Sequence, residues 1–214
     1  MTTIVKICGL KTPEVVDAAV AAGAGMVGFV FFGPSPRNLD TATAAELMAR
    51  VPDGVTKVAL TVDADDRHLA DIVENTSVQL LQLHGSESPE HVAALKARFG
   101  LPAMKMLPVS GSGDLAAAAA YEDIADRLLF DAKPPKDATR PGGNALTFDW
   151  TVLQDFTSPL PWMLAGGLTA ENVAEAVRIS GATEVDVSSG VEDAPGVKNT
   201  DKVRAFIAAA KAGH

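Results

Sequence analysis

Short apolar or β-branched runs alternate along the chain with alanine-rich stretches of helical period. The runs are IVKIC (4–8), MVGFVFF (26–32), TKVALTV (56–62), LLQLHG (80–85), AMKML (103–107), RLLFDAK (127–133), PWMLAG (161–166) and TEVDVSS (183–189). Each is followed by a loop and then a longer helical stretch, which predicts parallel strands joined by crossover helices. Local signals agree at the first helix, where Thr12 is placed as N-cap, Pro13 in the first turn, and Gly23 to end the helix in a left-handed conformation. Ser88-Pro89 and Thr169 are expected to open later helices in the same way. The segment LAAAAAYEDIA (115–125) predicts a fifth helix rather than a linker, because alanine is the best helix former.

Eight such units, with no internal repeat and no linker, predict an α/β fold: a single (β/α)8 TIM barrel of parallel strands, with 1–214 forming one catalytic domain. The rival is an open doubly wound sheet. That fold normally uses fewer strands and puts a Gly-rich turn after the first, whereas CGLKTPE is not G-x-G-x-x-G. The one long irregular stretch, AKPPKDATRPGGNALT (132–147), carries too many prolines, glycines and charges for regular structure, and reads either as an active-site lid or as a surface excursion.

Barrel chemistry collects where strands run into their following loops. Cys8 ends the first strand, Arg37 follows the second, His84 ends the fourth, Asp131 ends the sixth, and Asp186 with Ser188 and Ser189 finishes the eighth. The strand period of two puts Lys6 with Cys8, Gln82 with His84, Asp131 with Lys133, and Asp186 with Ser188 on shared faces. Barrel-facing polar residues are expected at the strand ends only.

Each candidate has two readings. Cys8 is either a small buried hydrophobe or, two residues from Lys6, a thiol of depressed pKa that serves as base or nucleophile. Asp131 is either an acid or the partner of Lys133. His84 is a capping or core histidine or a substrate contact, and Asp186 is a second candidate contact. Arg37 is a solvated charge or a fork for a carboxylate. The loops LAGGLTAENV and DVSSGVE are ordinary tight turns or a phosphate site built by Gly166, Gly167, Ser188, Ser189 and Gly190.

Charge narrows the partners. With 27 acidic against 18 basic residues, a net charge of −9 disfavours nucleic acid and anionic membrane, so an anion has to be captured locally by backbone N–H groups. The 47% hydrophobic content suffices for a core, and no run reaches a membrane span. One cysteine makes no intrachain disulfide, and MTTIVKICGL lacks a signal-peptide pattern, so a reducing, cytoplasmic setting is expected. The four histidines are scattered and no cysteine pair exists, so no metal is expected.

Taken together, KICGL (6–10), GFVFFGPSPRN (28–38), LQLHG (81–85), LLFDAK (128–133), LAGGL (164–168) and DVSSGVEDAPGVKN (186–199) closely resemble the phosphoribosylanthranilate isomerase family of tryptophan biosynthesis over nearly the whole chain. The resemblance implies Cys8 as general base, Asp131 as general acid, Arg37 as anchor of the anthranilate carboxylate, and the loops after strands seven and eight as the phosphate site. It also implies an Amadori rearrangement of a phosphorylated small molecule, which needs no cofactor and no metal; a monomer or weak homodimer is expected. Two stretches depart from the family pattern: RPGGNALTFDW has Asn144 and Ala145 where a Thr-Gly-Lys-like continuation is common, and Asn199 replaces a common acid in GVKN. Asn199 caps a helix as well as an acid does. Other readings are a Schiff-base aldolase working through Lys133 and a sugar-phosphate-binding module without turnover.

Overall fold

The structure is a computed structural model that describes residues 2–134, 142–143 and 146–213. Eight parallel strands form a closed barrel in sequence order: β1 (Ile4–Cys8), β2 (Met26–Phe31), β3 (Thr56–Thr61), β4 (Leu80–Leu83), β5 (Ala103–Val109), β6 (Arg127–Ala132), β7 (Trp162–Leu164) and β8 (Glu184–Val187). Strand β8 closes on β1 with Ile4 opposite Glu184 and Lys6 opposite Asp186. Every expected strand is present, shifted at its ends by two residues at most. Closure leaves none of the eight barrel strands as an open edge.

The alternation of side chains divides the core into two layers. Val5, Ile7, Val27, Phe29, Leu128 and Phe130 point outward and pack under the helices. Met26, Val58, Leu80, Met104, Met106, Leu129 and Met163 fill the barrel interior, where flexible thioethers suit an irregular space.

The outer ring holds α1 (Pro13–Ala21), α2 (Thr41–Met48), α3 (Asp66–Asn75), α4 (Pro89–Phe99), α5 (Val173–Ser180) and α6 (Thr200–Ala212). Thr12 occupies the N-cap position of α1 as expected, though its side chain makes no cap hydrogen bond; Ser88 accepts from the His91 N–H at the start of α4, and Asn199 from the N–H groups of Asp201 and Lys202 at the start of α6. Thr169 does not open α5. The N-cap is Asn172, whose side-chain oxygen accepts from the Thr169 N–H and whose amide donates to the Gly167 carbonyl, so the polar turn is drawn into the β7 loop before the helix starts.

The expected fifth α-helix is instead a 3-10 helix, Ser112–Tyr121. Leu115, Ala118 and Tyr121 are its core-facing residues, and their spacing of three matches three residues per turn. A second short 3-10 helix, Trp150–Leu153, stands where a helix after β6 would lie. After β8 the chain makes a hairpin that the sequence pattern missed, β9 (Glu192–Ala194) with β10 (Val197–Lys198). Residues 135–141 and 144–145 of the 132–147 stretch lie outside the described residues, and with them the choice between lid and excursion.

Candidate active site

The carboxyl ends of the strands bring Cys8, Arg37, His84, Asp131, Asp186 and Ser188 around one cavity of about 490 Å3, whose remaining wall includes the apolar Val30, Phe32, Leu60 and Val62. An adjoining cavity of about 420 Å3 is lined by Gly166, Gly167, Ser188, Ser189 and Gly190. Asp131, Asp186 and Ser188 line both, so the two spaces meet at these residues. All the candidate residues except Lys133 therefore fall in one bipartite site.

Cys8 is 3% exposed, and its sulfur fits because β2 carries Gly28 opposite, where a Cβ would come within 2.9 Å of Sγ. Below it, Lys6 is fully buried inside the barrel and its ammonium donates to Asp186 Oδ1 at 2.9 Å. Burial works against the Lys6 charge, but Asp186 and the Cys8 sulfur outweigh it and hold the pKa above the ordinary lysine value. The expected depression of the Cys8 pKa is not found. Burial pushes the thiol up, and Lys6, already matched by Asp186, offsets only part of that.

Asp131 Oδ1 accepts from the Ala132 N–H at 2.8 Å, and Oδ2 lies 3.3 Å from His84 Nε2. Two residues earlier on the same face of β4, the Gln82 amide nitrogen meets His84 Nδ1 at 2.9 Å. With Gln82 donating there, the ring hydrogen sits on Nε2 and faces the acid. His84 is thus the partner of Asp131. Lys133 leaves the barrel, half-exposed, and pairs with Asp114 at 3.3 Å. It lines neither cavity, which removes both the expected Asp131–Lys133 pair and the Schiff-base aldolase reading.

Arg37 is 5% exposed rather than solvated. Its Nε and Nη2 donate to Glu192 Oε1 and Oε2 at 2.7 and 2.8 Å, and Nη1 approaches Gly143. Glu192 and Lys198, both on the unforeseen hairpin, were not singled out in the sequence. The signal was Pro195-Gly196, with Gly196 at φ +81°, which turns the chain back on itself.

In the second cavity Gly166 and Gly167 adopt φ of +89° and +60°, and a Cβ at Gly190 would overlap the Leu168 carbonyl. Backbone thus comes close to backbone where the sequence has Gly and Ser, leaving a cradle lined by no lysine among the described residues. The expectation that barrel-facing polar residues cluster only at strand ends fails lower down. Lys6, Gln82 and Asp186 lie within the barrel, and Arg127 pairs with Glu184 at 2.5 Å near the opposite end.

Residues 5–209 match the family described as N-(5'phosphoribosyl)anthranilate (PRA) isomerase. The chain belongs to this isomerase family. A relative named N-(5'-phosphoribosyl)anthranilate isomerase, from Paramagnetospirillum magneticum, is 58% identical over 213 residues, which is 100% of this chain and 99% of that one. Among solved structures, the phosphoribosylanthranilate isomerase of Thermotoga maritima superposes with a TM-score of 0.88 at 32% identity, covering 98% of this chain and 99% of that one. A phosphoribosylanthranilate isomerase in complex with reduced 1-(o-carboxyphenylamino)-1-deoxyribulose 5-phosphate superposes with a TM-score of 0.83 at 31% identity, over 98% and 99% of the two chains.

Proposed function

We propose that the chain isomerises N-(5-phosphoribosyl)anthranilate to 1-(2-carboxyphenylamino)-1-deoxyribulose 5-phosphate, a step of tryptophan biosynthesis, with Asp131 as acid and Cys8 as base. The observation that carries the reading is the single bipartite cavity. Cys8, Arg37 and Asp131 meet there with the glycine and serine loops, and family membership supplies the substrate.

The 5-phosphate lies in the cradle of Gly166, Gly167, Ser188, Ser189 and Gly190, where backbone N–H groups supply the donors. The aromatic ring lies along Val30, Phe32, Leu60 and Val62, and its carboxylate takes the Nη1–Nη2 edge of Arg37, the edge that Glu192 does not use. The ribose then spans the residues common to both cavities, Asp131 and Asp186 among them.

Asp131 gives its proton to the ring oxygen as the C1–O bond breaks and the anthranilate nitrogen lone pair forms the protonated imine. Cys8 then takes the proton from C2, and the C–H electrons move into the C1–C2 bond while the nitrogen recovers its lone pair. The resulting enolamine moves its hydroxyl proton to C1 and becomes the ketone, so substrate and product have the same atoms. Cys8 has to reach the thiolate in the complex, where the protonated imine places a positive charge beside it. His84, held by Gln82, aims the Asp131 carboxyl.

Among the described residues the exposed large hydrophobics are Ile4, Leu146 and Val197. This, with the free thiol at Cys8 and the absence among the described residues of a helix long and apolar enough to cross a membrane, supports a monomer or weak homodimer in a reducing cytoplasm. The test is a fluorescence assay with phosphoribosylanthranilate generated in place. Loss of the anthranilate-type fluorescence without release of free anthranilate is expected. Release of anthranilate, or no change beyond the uncatalysed rate, overturns the reading.

A further inference from the structure

The geometry points to Glu192 as a positioning residue that couples recognition of the substrate's carboxylate to recognition of its phosphate. The inference rests on the reading of the two cavities given above.

Glu192 sits on β9, outside the barrel strands, with its side chain only 4% exposed. Oε1 accepts from Arg37 Nε at 2.7 Å and from Lys198 Nζ at 2.8 Å. Oε2 accepts from Arg37 Nη2 at 2.8 Å and from the Gly196 N–H at 3.2 Å. Lys198, on β10 with its side chain 2% exposed, also donates to the Ser188 carbonyl at 2.8 Å and approaches the Ser188 hydroxyl at 3.2 Å. One carboxylate therefore holds the arginine at the aromatic end and, through one lysine, the serine at the start of the phosphate loop.

A fork held bidentately is fixed in plane and direction, and the second edge of Arg37 is aimed by the first. A buried lysine loses its reason to stay charged when its carboxylate is removed. Burial already pushes the Lys198 ammonium below the ordinary lysine value, with Glu192 as the main opposing influence. Burial likewise works against the Glu192 charge, and Arg37 with Lys198 overcomes it, keeping the carboxyl ionised below the usual range. Glu192 and Lys198 thus support each other's charge, while Arg37 favours the carboxylate and works against the ammonium. Neither end of the substrate site is independent of the other, although the two are built from different loops.

The test separates the two arms with Glu192→Gln and Lys198→Met. Turnover is measured with N-(5-phosphoribosyl)anthranilate and with its aniline analogue, which lacks the carboxylate. Inorganic phosphate binding is measured by titration calorimetry, which needs no turnover. Glu192→Gln is expected to raise KM for the anthranilate compound about tenfold or more with kcat within a few-fold, to raise it less for the analogue, and to weaken phosphate several-fold.

Lys198→Met is expected to weaken phosphate while preserving the wild-type preference for the carboxylate-bearing substrate. A Glu192→Gln protein that changes the preference but not phosphate binding overturns the coupling, as does one that changes neither. If Glu192→Gln does not fold, Lys198→Met decides: unchanged phosphate binding overturns the proposal. A wild-type protein that binds phosphate as expected but does not turn over the anthranilate compound overturns the proposed function and leaves the coupling to be judged on phosphate alone.

Discussion

His84 Nε2 faces Asp131 Oδ2 at 3.3 Å, which ties the end of β4 to the end of β6 over the barrel mouth. If Asp131 delivers a proton and His84 aims it, the two should differ in size of effect. Asp131→Asn is expected to lower kcat by about 10²–10⁴-fold with KM little changed, the range for losing a positioned proton-transfer group. His84→Asn should cost roughly tenfold, since the acid remains but loses its guide. Steady-state kinetics on both variants checks the order, and equal losses would make His84 a partner in the proton transfer itself.

Cys8→Ala is expected to reduce kcat by about 10²–10⁴-fold while the fold, read by circular dichroism, is retained. In Cys8→Ser, deuterium at C2 of the ribose should slow turnover, because proton abstraction then limits the rate. Burial raises the thiol above its ordinary pKa of 9.0, so the thiolate fraction at neutral pH is smaller than that of an exposed cysteine. Alkylation by iodoacetamide should therefore be slow at neutral pH, rise through pH 9 and beyond, and be slowed by a product analogue.

At the phosphate cradle, Gly190→Ala would put a methyl group into the Leu168 carbonyl and push the β8 loop away from the β7 loop. KM should rise strongly, by roughly tenfold or more, and sulfate should lose its competition with substrate. An unchanged KM would detach the phosphate from these loops.

Arg37→Lys keeps a cation but cannot hold Glu192 and a substrate carboxylate on two edges of one plane. A KM increase is expected already with lysine, and a loss of about 2–5 kcal/mol in kcat/KM with alanine. Against the analogue without a carboxylate, Arg37→Ala should lose little more than wild type does. Additive losses would show that the two groups do not meet.

Lys133 provides a control of the opposite kind. Its half-exposed ammonium pairs with Asp114, outside both cavities. Lys133→Met should keep kcat and KM within about twofold, since isolated surface pairs contribute little. Borohydride added during turnover should trap no substrate on the protein.

Strand positions were legible because a fully buried parallel strand needs a short continuous apolar run, and eight such runs stand clear of their neighbours. Cys8, Asp131 and the glycine loops were legible for a related reason, as polar or small residues that end those runs. The helix types were less so. Residues 115–125 offer alanine for an α-helix, but the contacts at Leu115, Ala118 and Tyr121 repeat every three residues and select the tighter turn. Glu192 and Lys198 read as ordinary surface charges of an acidic protein. Their burial follows from a hairpin that folds back over Arg37, a contact 155 residues apart that local pattern does not carry. The direction of the Cys8 shift was missed because burial of the thiol, the largest influence on it, does not show in the local pattern. Lys6 is near in sequence, but its charge is matched by Asp186 from the far end of the chain.

That same pair, Lys6 and Asp186, lies 180 residues apart and meets only where β8 docks on β1. An incomplete barrel, whether a nascent chain or a fragment ending before β8, would leave Lys6 facing an open interior with no anion beside it, and would lack Ser188 and the hairpin as well. Catalysis therefore belongs to the last act of assembly. During refolding, activity cannot return before the two ends of the polypeptide have found each other, however early the central strands become ordered.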